Sequence, residues 1–66
     1  MEFKNLSSRA IAKEYIKEAE YLREVSSNDI SKETYEMKKQ YENELLKELF
    51  NRGIIGWANI KDVANK

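Results

Sequence analysis

The first half of the chain carries apolar side chains that recur every three or four residues. Five of them fall at helical spacing: Ile11, Tyr15, Ile16, Ala19 and Leu22. Because an α-helix turns about 100° per residue, these side chains lie along one face. Ser7 and Ser8 precede the pattern, and either hydroxyl can cap the free N–H groups of a first helical turn. The pattern predicts a helix over about residues 8–25, with Tyr21 and Val25 at the edge of its apolar face.

A polar cluster of turn-forming residues at positions 26–29 separates this pattern from a second one. Ser31 can cap a second helix, which the pattern predicts over about residues 32–51. The broad apolar half of this helix contains Tyr35, Tyr41, Leu45, Leu46, Leu49 and Phe50, with Met37 at its margin. Since the connection between the helices is short, we expect them to pack antiparallel.

Lys38 and Glu42 interrupt the apolar half of the second helix and lie four residues apart. Charged groups that are buried need a partner of opposite sign. Either these two side chains bridge each other at a seam between two apolar strips, or the helix faces two different neighbours. The sequence leaves both arrangements open.

Gly53, one of only two glycines, marks the end of the second helix. It is a suitable left-handed stop and would place Ile54 against Leu49 in a Schellman closure. Beyond it, apolar residues return at helical spacing and predict a short third helix over about residues 57–64. We expect Trp57, at the start of that helix, to plug the end of the hairpin.

These elements place the chain in the all-α class. We expect one domain over residues 1–66, an antiparallel helical hairpin of two long helices plus a short C-terminal third helix. Phe3 and Leu6 should pin the N-terminal segment back on the bundle. A chain of 66 residues buries only about 60% of the surface that its unfolded form exposes. Since cysteine is absent and cannot supply disulfides, we expect dimerisation to complete the fold, plausibly as a four-helix bundle.

The composition offers little for catalysis. Histidine and cysteine are both absent, which removes the commonest general base and the usual thiolate and imidazole metal ligands. No nucleophile, tuned acid or base, or phosphate-binding loop occurs at useful spacing, so we expect no enzyme activity, no cofactor and no metal. No apolar run approaches the roughly 20 residues that cross a bilayer. We therefore expect a cytoplasmic protein without membrane contact.

Aromatic residues supply the main functional signal. Four tyrosines, one tryptophan and two phenylalanines exceed what a two-helix seam can bury, and aromatic residues and methionine are enriched at interface centres. We therefore expect a small regulatory protein, of the inhibitor, antagonist or adaptor type common among small bacterial and phage proteins, that binds a larger protein. The expected interface comprises Tyr21, Val25, Met37, Lys38, Tyr41 and Glu42. For Tyr21 and Tyr41, an alternative role at the core edge of a monomer stays open.

Basic residues support a second hypothesis, a nucleic-acid-associated accessory protein. In an antiparallel hairpin the start of the first helix lies near the end of the second, which would gather Lys4, Arg9, Lys13, Lys17, Arg52 and Lys61 at one end. The formal net charge is zero, however, whereas nucleic-acid binders usually carry a basic patch. Glu14, Glu18 and Glu48 also lie close to the same end. We therefore favour a protein partner over nucleic acid.

Overall fold

A computed structural model describes residues 3–25 and 29–66 of the chain. Most of them belong to three helices: α1 (Ser8–Glu24), α2 (Lys32–Asn51) and α3 (Trp57–Ala64). No strand occurs within the described ranges. The predicted all-α class, with two long helices and a short third, is therefore confirmed. Positions 26–28 of the predicted turn lie outside the described residues.

Serine side chains begin both long helices. Ser7 Oγ accepts a hydrogen bond from the Ala10 backbone N–H at 3.1 Å, and Ser31 Oγ accepts one from the Thr34 backbone N–H at 3.1 Å. Both serines have extended backbone angles, as N-cap residues do. Of the two alternative caps for the first helix, Ser7 fills the role and Ser8 becomes the first helical residue.

α2 ends in the Schellman closure that the sequence predicts. Gly53 has a φ angle of 79°, a left-handed conformation that costs glycine little because it lacks a Cβ atom. The Gly53 N–H donates to the Phe50 carbonyl at 2.9 Å, and the Ile54 N–H donates to the Leu49 carbonyl at 2.9 Å. The closure redirects the chain, and the following helix α3 packs against α1.

The core lies where α1, α3 and the C-terminal half of α2 meet. Its buried side chains are Phe3, Ile11, Ala12, Leu45, Leu49, Ile60 and Ala64. α1 is the central element, because it packs against both other helices, whereas α2 and α3 barely contact each other. Part of the α1 flank that faces between α2 and α3 is consequently left without a helical neighbour in the described chain.

The Arg52 side chain fastens three segments together. Its Nε donates to Glu48 Oε2 at 2.8 Å, its Nη1 to Ser8 Oγ at 3.2 Å and its Nη2 to the Phe3 carbonyl at 3.0 Å. One guanidinium thus links the end of α2, the start of α1 and the N-terminal segment. Phe3 is buried as expected, whereas Leu6, which was expected to pin the same segment, is 48% exposed.

The folded chain exposes more surface than a compact monomer of its mass. Its accessible surface is 4893 Å² at a mass of 7.8 kDa, whereas the general scaling of folded monomers gives about 4400 Å². Its radius of gyration is 12.3 Å, compared with about 11 Å for a compact domain of this length. The helices therefore leave part of their surface without a neighbour.

Candidate protein-binding surfaces

Large apolar side chains remain exposed in several parts of the chain. Among the described residues, those at least 38% exposed are Leu6, Tyr21, Tyr35, Met37, Phe50, Ile55 and Trp57. Single exposed apolar residues are normal on a protein surface, whereas grouped ones mark binding sites. We divide them into two groups. Tyr21 lies against Lys38, the residue after Met37, and Tyr35 and Trp57 line one groove.

The first group lies on a surface that we name the tyrosine face, which consists of Tyr21 on α1 with Met37, Lys38 and Tyr41 on α2. Lys38 Nζ lies 4.8 Å from the centre of the Tyr21 ring and 3.9 Å from Glu18 Oε2. The negative face of the ring attracts a cation at this distance. Met37 is 71% exposed and Tyr21 is 40% exposed. The tyrosine face thus presents apolar and aromatic groups beside a positive charge.

Tyr41 lies at the boundary between the tyrosine face and the core. Its half-buried ring packs against Phe3, with ring centres 6.0 Å apart. Burial raises the pKa of the Tyr41 hydroxyl, and the charges of Glu14 and Glu18 and a hydrogen bond to Glu14 raise it further, because all four disfavour the phenolate. Of the two tyrosines that the sequence left open, Tyr41 wraps the core edge, whereas Tyr21 is available to solvent.

Lys38 and Glu42, the two charges inside the apolar half of α2, form ion pairs with different residues. Lys38 reaches Glu18 of α1, whereas Glu42 Oε1 lies 3.7 Å from Lys39 Nζ. Glu42 is buried. The pKa of the Tyr15 hydroxyl is raised mainly because that hydroxyl is partly buried and, to a smaller extent, by the charge of Glu42. Lys38 and Glu42 therefore do not bridge each other, and both lie beside α1 rather than facing two different neighbours.

Glu18 is a buried carboxylate whose partners are incomplete. The residue is 9% exposed, and its Oε2 atom has no hydrogen-bond partner within the described chain. The Lys38 ammonium, at 3.9 Å, is too distant to donate one. A buried oxygen without a hydrogen bond costs about 1–3 kcal/mol. Glu18 is therefore expected to lower the stability of the fold, although the Lys38 ammonium beside Tyr21 supplies an opposite charge.

Glu18→Met is expected to stabilise the folded chain, because it removes a desolvated charge and keeps an apolar stem of similar volume. We expect the free energy of unfolding in urea to rise by about 1–3 kcal/mol. Lys38→Met is the matched control, since it leaves the buried Glu18 without its counter-charge and should lower that free energy. A clear loss of stability in Glu18→Met would show that the carboxylate supports the fold.

The second group of exposed side chains lies on a groove along the C-terminal half of α1, which we name the α1 groove. One section of about 470 Å³ is lined by Leu22, Val25, Ile30, Ser31, Lys32 and Tyr35. An adjoining section of about 330 Å³ shares Leu22 and Tyr35 and adds Tyr15, Ala19, Arg23, Lys39, Glu42 and Trp57. Because the sections share two residues, they form one continuous surface with contributions from all three helices.

The side chains of the tyrosine face are distinct from those that line the α1 groove. On α1, Tyr21 lies about 200° around the helix axis from Ala19, which lines the groove, but only about 40° from Val25, which lines it as well. The six residues expected to form one interface are therefore divided. Tyr21, Met37, Lys38 and Tyr41 form the tyrosine face, whereas Val25 and Glu42 line the α1 groove.

Trp57 lies along α1 rather than plugging the end of the hairpin. Its ring meets the Tyr15 ring edge-on, with centres 6.2 Å apart, and it is 38% exposed. The Arg23 guanidinium carbon and the Lys61 ammonium each lie 5.9 Å from the centre of the Trp57 ring. The reason is that α3 packs along α1, which brings its first residue beside the middle of that helix.

The basic residues of the nucleic-acid hypothesis lie in different surroundings. The Arg52 guanidinium donates to acceptors on three segments and is thereby committed to the fold. Lys61 lies over the Trp57 ring. The remaining side chains are exposed: Lys4, Arg9, Lys13 and Lys17. A phosphate group would have to compete with internal acceptors for Arg52.

Sequence reasoning did not anticipate the α1 groove or its residues Tyr35, Arg23 and Lys39. The groove combines side chains from three helices, and their proximity depends on how the helices pack. The one available signal was the width of the apolar face of the first helix, which exceeds what one partner helix covers.

Two kinds of site are not found among the described residues. Within 3–25 and 29–66, no three side chains of metal-binding type come close enough to hold an ion. In the same ranges, no helix combines the length and the apolar character that spanning a bilayer requires. Comparisons with protein-family models, with curated proteins and with solved structures found no match.

Proposed function

We propose that this chain is a small non-catalytic regulatory protein that binds a larger protein, as an inhibitor, antagonist or adaptor. The observation that carries the proposal is the tyrosine face, where the Tyr21 ring is 40% exposed with the Lys38 cation over it, and where Met37, the residue before Lys38, is 71% exposed. Covering such apolar surface contributes about 25 cal/mol for each Å² removed from water. The adjacent cation supplies orientation, because it repels a partner of like charge.

The proposed scaffold is an antiparallel helical hairpin of α1 and α2. The order of the contacts supports it: Ser8, at the start of α1, meets Arg52 after the end of α2, whereas Glu18 meets Lys38. Positions that advance along α1 thus pair with positions that move back along α2. In such a hairpin, two helices present one broad side to a partner, so both contribute to the tyrosine face.

A homodimer is part of the proposal. Its support is the accessible surface of 4893 Å², which exceeds the roughly 4400 Å² of a compact monomer of this mass. Two hairpins packed against each other as a four-helix bundle would cover exposed apolar side chains on each copy. The same hairpin could then offer its remaining surface to the larger partner.

Site-specific photo-cross-linking tests the proposal. A photoreactive amino acid replaces Met37, or in a second variant Tyr21, and the chain is expressed and irradiated in the cells that produce it naturally. We expect a discrete covalent adduct heavier than two copies of the chain, with a further adduct of two copies where the homodimer forms.

The matched control places the same photoreactive amino acid at Lys47, an exposed position of α2 away from the tyrosine face. We expect no discrete adduct from this position. Equal adduct formation at positions 37 and 47, or none at positions 21 and 37, would contradict binding through the tyrosine face.

A further inference from the structure

We infer that the α1 groove binds an acidic amphipathic helix of a partner protein. The inference rests on the proposed function and deepens it, since it assigns a second surface and the chemistry of what occupies it. Three features of the groove lead to this occupant: its position among the helices, its apolar floor and the sign of the charges around it.

The position of the groove favours a helical occupant. α2 and α3 both pack against α1 but barely contact each other. One face of α1 lines the groove between α2 and α3 with Tyr15, Ala19 and Leu22. A further helix seated on this face would have neighbours on three sides, as helices in bundles do. An extended strand would gain nothing there, because the part of the chain that the structure describes forms no sheet edge for it to extend.

The floor of the groove supplies anchor positions for apolar side chains. Leu22, Val25, Ile30 and Tyr35 line the section of about 470 Å³. Amphipathic helices bind such grooves by inserting apolar residues spaced three and four positions apart. Trp57, which is 38% exposed at the other section, offers a rigid aromatic surface of the kind that often dominates binding energy.

The charges around the groove select an acidic occupant. Three cations, Arg23, Lys32 and Lys39, and one carboxylate, Glu42, line it; since Glu42 is buried and paired with Lys39 at 3.7 Å, the excess positive charge lies at Arg23 and Lys32. Lys61 adds a further cation beside Trp57. Because the whole chain has a formal net charge of zero, this basic rim is a local feature. Acidic residues that flank the apolar stripe of a helix would match it, and basic residues would be repelled.

Synthetic peptides test this inference on the full chain. One peptide carries leucines at helical spacing flanked by glutamates, and a second carries lysines in place of every glutamate; both lack tryptophan. Anisotropy of a dye on the peptide measures affinity. The emission of Trp57, the single tryptophan of the chain, reports whether the groove is occupied. We expect the acidic peptide to bind at least about tenfold more tightly than the basic one and to shift the Trp57 emission.

A charge-reversed double variant, Arg23→Glu with Lys32→Glu, tests whether the basic rim selects the acidic peptide. We expect it to lose at least about tenfold in affinity for the acidic peptide and to bind the basic peptide more tightly than the parent does. The matched control, Lys13→Glu with Lys47→Glu, makes the same change of charge at exposed positions outside the groove. It should bind the acidic peptide like the parent. Circular dichroism checks that both variants keep their helices.

Several results would overturn the inference. These are equal affinity for the two peptides, equal weakening by the control variant, or binding without a change in Trp57 emission. A Trp57 emission that changes with protein concentration in the absence of peptide would also overturn it, by showing that a second copy fills the groove. If the inference fails while adducts still form at position 37, the proposed function stands. If the groove binds the peptide and no adduct forms at positions 21 and 37, the proposed binding through the tyrosine face is wrong.

Discussion

Leu49→Ala is expected to lower the free energy of unfolding by about 2–5 kcal/mol, the usual cost of a cavity in a packed core. Leu49 has no exposed surface and belongs to the core cluster. A chain of 66 residues has a total stability of only about 3–10 kcal/mol. We therefore expect this variant to be partly or wholly unfolded at 37 °C, as measured by thermal denaturation followed by circular dichroism.

Met37→Ala is the control for this change, because it also shortens a large apolar side chain of α2 but one that is 71% exposed. Substitutions at such positions usually change stability by no more than about 0.5 kcal/mol. If Leu49→Ala and Met37→Ala lowered the stability equally, the division between core and binding surface described above would be wrong.

Arg52→Ala is expected to lower the free energy of unfolding by about 2–4 kcal/mol, because hydrogen bonds to a charged group are stronger than neutral ones. The variant leaves Glu48, Ser8 and the Phe3 carbonyl without their donor. We also expect faster amide hydrogen exchange at the N-terminal segment and at the end of α2, which the guanidinium links. Exchange followed by mass spectrometry measures this local effect.

Arg52→Lys separates charge from geometry. Lysine keeps the positive charge beside Glu48 but cannot reach three acceptors with the planar fork of a guanidinium. We expect it to recover part of the stability and little of the protection at Phe3. Full recovery by lysine would mean that the ion pair alone, at 2.8 Å from Nε to Glu48, accounts for the effect.

The helices could be predicted because their signals are local. Ser7 and Ser31 supply caps within one turn of the N–H groups that they satisfy. Gly53 supplies the left-handed residue that ends α2. Apolar residues at helical spacing identify the buried faces, and Leu49 and Ile60 are indeed buried. Each of these inferences needs only neighbours in the sequence.

The surfaces could not be predicted fully because they depend on contacts between distant residues. Glu18 and Lys38 are twenty positions apart, and nothing local indicates that one reaches the other. The sequence groups Arg52 with the basic residues of the nucleic-acid hypothesis, whereas its side chain is held by acceptors 44 and 49 positions away. The apolar faces were visible in the sequence, but their division into a tyrosine face and an α1 groove follows from where α3 packs.

The two surfaces suggest separate roles within the proposed function. The tyrosine face has an exposed apolar side chain and an aromatic ring beside Lys38, whose ammonium also lies 3.9 Å from Glu18 Oε2. The α1 groove is apolar in the section lined by Leu22, Val25, Ile30 and Tyr35 and carries a basic rim. In the roles proposed above, the tyrosine face binds the larger protein and the α1 groove binds an acidic helix of a partner.

Hydroxyl-radical footprinting read by mass spectrometry tests most directly whether another molecule covers the exposed apolar side chains. The rates of oxidation of Met37, Tyr21 and Trp57 are compared between the purified chain at high dilution and the chain inside the cells that produce it, with the buried Phe3 as the slow reference. We predict fast oxidation of all three in dilute solution and several-fold slower oxidation of Met37 and Tyr21 in cells. Equal rates in both settings, or protection already present in the dilute chain, would contradict the account.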